Sequence, residues 1–191
     1  MIDRRQFLVR MVALGLLSRE ALHVASAMDT ASAPTPWLDQ APWQTLRAVL
    51  AHLLPHNDDA PGADDIHAIV YLHDTLENPA ADGAAKARIV EGAQRVEALA
   101  QAQHQQPFAA LGEAQRETLL REFEGLRGGS AWLSSLLAFL LEALLADPVY
   151  GGNFDQTGWR WLNHPPGFPR PPADKTWYHL APMVQRRSKA T

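Results

Sequence analysis

Residues 131–146, AWLSSLLAFLLEALLA, are apolar on nearly every side, and a chain containing such a run has few ways to fold. A helix with one polar face can sit at the edge of a domain, whereas one that is hydrophobic all round must be surrounded. Ser134, Ser135 and Glu142 interrupt the run, and it falls short of the roughly 20 apolar residues that a bilayer span needs. It reads as the central core helix of a globular domain, with Ser130 as its cap. The 191 residues are 47% hydrophobic and 20% charged, enough to build one core around it.

The surrounding helices are legible from apolar spacing. Trp43, Leu46, Leu50, Leu53 and Leu54 recur at helical intervals behind Pro42, and Pro55 stops them. The turn-rich HNDDAPGADD (residues 56–65) follows. Asp64 or Asp65 is placed to cap a second helix with Ile66, Ile69, Val70, His73 and Leu76 on one face. Asn78, Pro79 and Gly83 break the pattern. Ile89, Ala93, Val96 and Ala100 mark an alanine-rich third helix ending near His104, with Phe108 and Leu111 as buried anchors in the loop beyond. A fourth helix over residues 113–124 turns Leu119, Leu120 and Phe123 inward, and Gly125, Gly128 and Gly129 separate it from the core helix. No stretch alternates with period two for long enough to argue a strand. The expected fold is all-α, a single helical bundle of about five helices.

From Asp147 the character changes. Seven of the 15 aromatics and seven of the 14 prolines lie in the last 45 residues. The prolines forbid long helices there and the aromatics demand burial, so this extended segment must wrap over something. Asp147 and Pro148 stop the core helix, Gly151 and Gly152 permit a tight turn, and Asn153 can bond its own backbone. Tyr150 and Trp159 either fill the chain's own core or belong to a surface presented to a partner. Tyr150, Phe154, Trp159, Trp161 and Phe168 are the candidate partner interface. If the segment is extended, Trp159 and Trp161 point to opposite sides, one inward and one outward.

The chain opens MIDRRQFLVRMVALGLLSREALHVASAMD. Arg4 and Arg5 precede Phe7 and Leu8, a short apolar run follows, and Ala25-Ser26-Ala27 offers a small-residue cleavage site, the three parts of an export signal. The arginine pair resembles the twin-arginine signal, read by a route that moves folded proteins. An ordinary amphipathic first helix is the blander alternative. On the export reading, residues 1–27 are the signal, 28–36 a linker, 37–168 the helical domain and 169–191 a tail.

Chemistry-bearing motifs are scarce. The chain lacks cysteine, which removes disulfides, thiolate-held clusters and a cysteine nucleophile. The net charge of −4 argues against a nucleic-acid partner. His52 and His56 are four apart but Pro55 intervenes, and His73-Asp74 has no third ligand beside it, so no metal site is expected. Asp58, Asp59, Asp64 and Asp65 lack calcium-loop spacing. No glycine-rich phosphate loop follows a strand and no nucleophile elbow appears. Neither a catalytic residue nor a cofactor site is assigned to this chain.

Two segments carry a family resemblance. LLADPVYGGNFDQTGW (residues 144–159), with Pro166-Gly167 soon after, and LLPHNDDAPGADDIHAIVYLHDTL (residues 53–76) resemble the gluconate 2-dehydrogenase subunit 3 family. The resemblance implies a non-catalytic small subunit without a cofactor of its own. It would assist folding and export of a large FAD subunit of the glucose–methanol–choline type, which oxidises a sugar, sugar acid or polyol. It also implies a multihaem cytochrome c as electron acceptor, periplasmic location, and contact with the inner membrane only through the complex. The twin-arginine start fits, since a cofactor-loaded partner would lack a signal of its own. Two features depart from the family pattern: Leu162-Asn163 stands where Ile-Gly is usual, and a further tail carries Arg186, Arg187 and Lys189. The competing reading is a stand-alone exported enzyme or binding protein that uses a His/Asp pocket.

Overall fold

The computed structural model describes residues 36–79, 81–167, 170 and 172–176. The export-signal residues Arg4, Arg5, Phe7, Leu8, Ala25 and Ala27, and Phe168 of the candidate interface, lie outside the described residues. The described chain is all-α. Its helices are α1 (Ala41–Leu53), α2 (Ala68–Glu77), α3 (Gly83–His104), α4 (Glu113–Gly125), α5 (Gly129–Leu145) and α6 (Thr157–Leu162). No strand forms among the described residues.

Pro42 sits in the first turn of α1, where its missing N–H costs nothing, and the helix ends at Leu53, two residues before Pro55. Trp43, Leu46, Val49 and Leu50 of α1 meet Ile89, Ala93, Val96 and Ala100 of α3 in the core. The half-buried Glu97 ties three elements: its carboxylate accepts from Thr45 Oγ1 of α1 at 2.9 Å and from the backbone N of Phe108 at 3.0 Å. Phe108 and Leu111 are buried, as their spacing suggests.

α4 and α5 are bent by 119° about the Leu126–Gly128 turn. Gly128 adopts φ +80°, a left-handed conformation that glycine takes without a Cβ penalty. Gly129 then packs on the backbone carbonyl of Phe123 so closely that no side chain fits. This glycine pair, and not Ser130, starts the core helix; Ser130 lies inside it. Asp64 and Asp65 likewise do not cap α2. His67 occupies that position at φ +54°, and the two aspartates serve the preceding loop.

α5 touches every other helix, and Trp132, Leu133, Leu136, Leu140, Ala143 and Leu144 line its buried side. It is not enclosed all round. Ser134, Ser135 and Ala138 are exposed, and Leu145 is half exposed. The hydroxyls of Ser134 and Ser135 donate back to the carbonyls of Ser130 and Ala131, which satisfies them on the helix itself. Among the described residues no single helix is long and apolar enough to cross a membrane.

Candidate functional site

After α5, residues 147–163 form short turns and a further helix. Asp147 accepts from Val149 N and opens a short turn over Pro148–Tyr150, after which Gly151 (φ +90°) reverses the chain. Asn153 is then completely buried. Its Nδ2 donates to Ala146 O at 2.9 Å, at the end of α5, and its Oδ1 accepts from Gly158 N at 2.7 Å, in the first turn of α6. One side chain thus serves the last carbonyls of one helix and the first amides of the next.

α6 corrects the picture of a wholly extended tail: residues 157–162 are helical. Two helical steps rotate a side chain by about 200°, so Trp159 and Trp161 still diverge. Trp159 points home, 6% exposed, with its Nε1 donating to Leu145 O at 2.8 Å. Trp161 does not point freely outward. It is half-buried and its Nε1 donates to Asp59 O at 2.7 Å, across 102 residues of sequence. Phe154 is the exposed aromatic, at 49%, and its ring stacks on His67 at 4.0 Å between centroids. Tyr150 is half-buried in the turn.

These two contacts bring the loop after α1 against the segment before and within α6. Between them lies an open cleft of about 610 Å³, lined by the 56–61 loop, Asp64, Asp65, His67, Phe154, Thr157 and Trp161. The 56–61 loop is internally braced. Asn57 and Ala60 exchange backbone hydrogen bonds, and Asn57 Oδ1 accepts from Asp59 N. Gly62 is obligatory there, because a Cβ would stand 2.5 Å from His56 N. Asp65 accepts from Gly62 N and from His56 Nδ1, both at 2.6 Å. The Gly62 bond and then the His56 bond hold its carboxyl below the usual range. Arg47 forks onto Asp64. Burial lowers the pKa of His67, partly offset by Asp64, which favours a neutral ring against Phe154.

Backbone conformation singles out the same region. Among the described residues six non-glycine residues have positive φ; His67, Asn153, Asp155, Gln156 and Asn163 are five of them. Left-handed conformations cost non-glycine residues free energy and tend to gather at functional sites. The 56–67 loop therefore belongs to the site together with the aromatic segment. Sequence reasoning placed it as a loop within a segment that resembles the family and did not join it to the aromatic segment, because no local signal announces a partner a hundred residues away.

The family model described as Gluconate 2-dehydrogenase subunit 3 matches residues 40–167, two thirds of the chain, and spans both walls of the cleft. The chain belongs to that family. No curated protein matches the chain, and no solved structure matches it. Membership makes the chain a subunit-3-type accessory component of a dehydrogenase complex.

The cleft is a poor place for dinucleotide or metal chemistry. A pyrophosphate would meet four carboxylates, and no three His, Cys, Asp or Glu among the described residues could hold a metal ion. The competing His/Asp pocket has its nearest counterpart in His56–Asp65, but that pair closes the loop by also engaging Gly62 N. Thr157 is the one hydroxyl side chain in the lining.

Beside α6, Arg170 forks onto Asp147 at 2.8 and 2.9 Å and lies 5.3 Å over the Trp159 ring. Burial pushes the Asp147 carboxyl up, but the Arg170 and Val149 hydrogen bonds outweigh it and leave the pKa lowered. A depressed folded-state pKa stabilises above the unfolded value, about 3.9, and the gain fades as pH falls through the folded value. The stability advantage of the native protein over Asp147→Asn is therefore expected to hold steady above about pH 4 and to shrink below it. Urea midpoints measured between neutral pH and pH 2.5 check this; an advantage that grows on acidification would contradict it.

Proposed function

We propose that this chain is the non-catalytic escort subunit of a FAD-dependent dehydrogenase acting on a sugar, sugar acid or polyol. The observation that carries the reading is the family match over the whole helical domain. The chain binds the large flavin subunit of the glucose–methanol–choline type, stabilises it, and supplies the twin-arginine signal on which both cross into the periplasm. The flavin resides in that partner, a multihaem cytochrome c takes its electrons, and the assembly meets the inner membrane through the complex. The order Arg4-Arg5, Phe7-Leu8, then Ala25 and Ala27 supports the export step, because the pathway it resembles carries folded and loaded passengers. The acidic, aromatic cleft supports a docking role over a flavin-binding one.

Arg4→Lys combined with Arg5→Lys tests the reading. Dehydrogenase activity should fall at least tenfold in the periplasmic fraction and persist in the cytoplasm, with the complex still assembled. Full periplasmic activity in this variant would refute the export role. A tagged chain that brings down no flavin-containing subunit would refute the escort role.

A further inference from the structure

The cleft also indicates what kind of segment it takes. We infer that it receives a basic segment of the large dehydrogenase subunit. An arginine or lysine would enter between Asp58 and Asp59 while a neighbouring apolar side chain covers Phe154. The inference rests on the escort reading and adds the chemistry of its contact.

Three observations converge. Phe154 is 49% exposed at the mouth of the cleft, with its ring held in place by the His67 stack. An apolar ring fixed at an open mouth gains from a covering partner, and Phe is a frequent interface anchor. The acidic rim is unevenly satisfied. Asp64 is paired with Arg47, and Asp65 accepts hydrogen bonds from His56 Nδ1 and Gly62 N, whereas Asp58 and Asp59 are exposed and their carboxylates have no partner among the described residues. Among the described residues no lysine or arginine lines the cleft, and the lowered pKa of His67 keeps it from serving as a counter-charge. A cation is thus what the cleft lacks.

The walls are set before a partner arrives. Trp161 is tied to Asp59 O, Asn57 is bridged to Ala60, and Asn153 fixes the start of α6. Such preorganisation reduces the ordering cost of association. At about 610 Å³ the space suits one or two side chains of an inserted segment. Anions are repelled by the rim. A guanidinium would find both carboxylate acceptors and the Phe154 and Trp161 rings on which a planar cation stacks.

The test uses the full chain and the flavin-containing subunit that co-purifies with it, recognised by its flavin absorbance. Affinity is measured at low and at raised salt for the native protein, for Asp58→Asn with Asp59→Asn, for the corresponding double glutamate variant, and for Phe154→Ala. Circular dichroism confirms that each retains its helix content. Native binding should weaken as salt rises. The double asparagine variant should bind at least tenfold more weakly at low salt and lose most of the salt dependence. The double glutamate variant should recover at least half of that loss in log affinity, and Phe154→Ala should cost at least tenfold. Undiminished binding by the asparagine variant overturns the inference alone. So does loss in Phe154→Ala only, which would mean a neutral apolar occupant, or a change in self-association with dehydrogenase binding intact, which would mean a second copy. If the native chain retains no flavin-containing subunit, the escort reading itself falls.

Discussion

Gly92→Ala is expected to destabilise the protein by about 3 kcal/mol, although the same exchange in an exposed helix interior stabilises by about 1 kcal/mol. A Cβ at Gly92 would stand 2.0 Å from Trp132 Nε1 and 2.2 Å from its Cδ1. The indole cannot simply swing away, because its N–H donates to Ile89 O at 3.0 Å and its ring packs edge-on against Phe123. Making room means losing that hydrogen bond inside the core and parting α3 from α5. The matched control is Gly83→Ala in the first turn of the same helix, where nothing lies within 4 Å of the new methyl. That variant should be neutral or slightly more stable. Urea titration of both decides the matter, and a Gly92→Ala midpoint at or above the native one would show that the α3–α5 contact is looser than the structure has it.

The same contact shows why some of the fold is legible in the sequence and some is not. Helix bodies announce themselves because burial of one face imposes a 3.6-residue rhythm, as in Ile89, Ala93, Val96 and Ala100. Pro55 stops α1 for a reason internal to the proline ring. Caps are read less well. Ser130 has the right chemistry for a cap, but Gly128 and Gly129 start α5 two residues earlier, because the sharp α4–α5 bend needs a left-handed residue and then a residue without a side chain. Asp64 and Asp65 also have the chemistry of caps, yet the loop's own amide at Gly62 and the side chains of Arg47 and His56 claim them first. α6 has only six residues, too few for a period to show, and its start is set by Asn153 and not by any residue within it. As for the cleft, its aromatic wall is visible as composition. Its other wall is invisible, because the Trp161–Asp59 and Phe154–His67 contacts join positions that only the folded bundle brings together.

Asn153→Ala is expected to be the most damaging exchange near the cleft, costing about 3–4 kcal/mol. Three terms add. The Ala146 carbonyl loses the Nδ2–H donor at the end of α5, and the Gly158 amide loses its acceptor within the buried start of α6. Each orphaned buried group costs about 1–3 kcal/mol, and the lower end applies where water can enter from the cleft. The third term is conformational. Asn153 sits at φ +48°, which asparagine tolerates better than alanine, at a difference of about 1 kcal/mol. Asn153→Gly separates the terms, since it removes the side chain but adopts the left-handed region freely. It should fall between the native protein and the alanine variant, about 1 kcal/mol above the latter. The damage should begin locally, because α1–α5 keep their own core while α6 loses its anchor. Amide exchange should therefore accelerate at Gly158–Leu162 before it does in α3, and dehydrogenase binding should weaken along with it, since Phe154 and Trp161 are carried by the freed segment. Uniform acceleration across all helices would mean instead that Asn153 supports the whole bundle. Unchanged exchange at α6 would mean that Trp159, through Leu145 O, holds the helix alone.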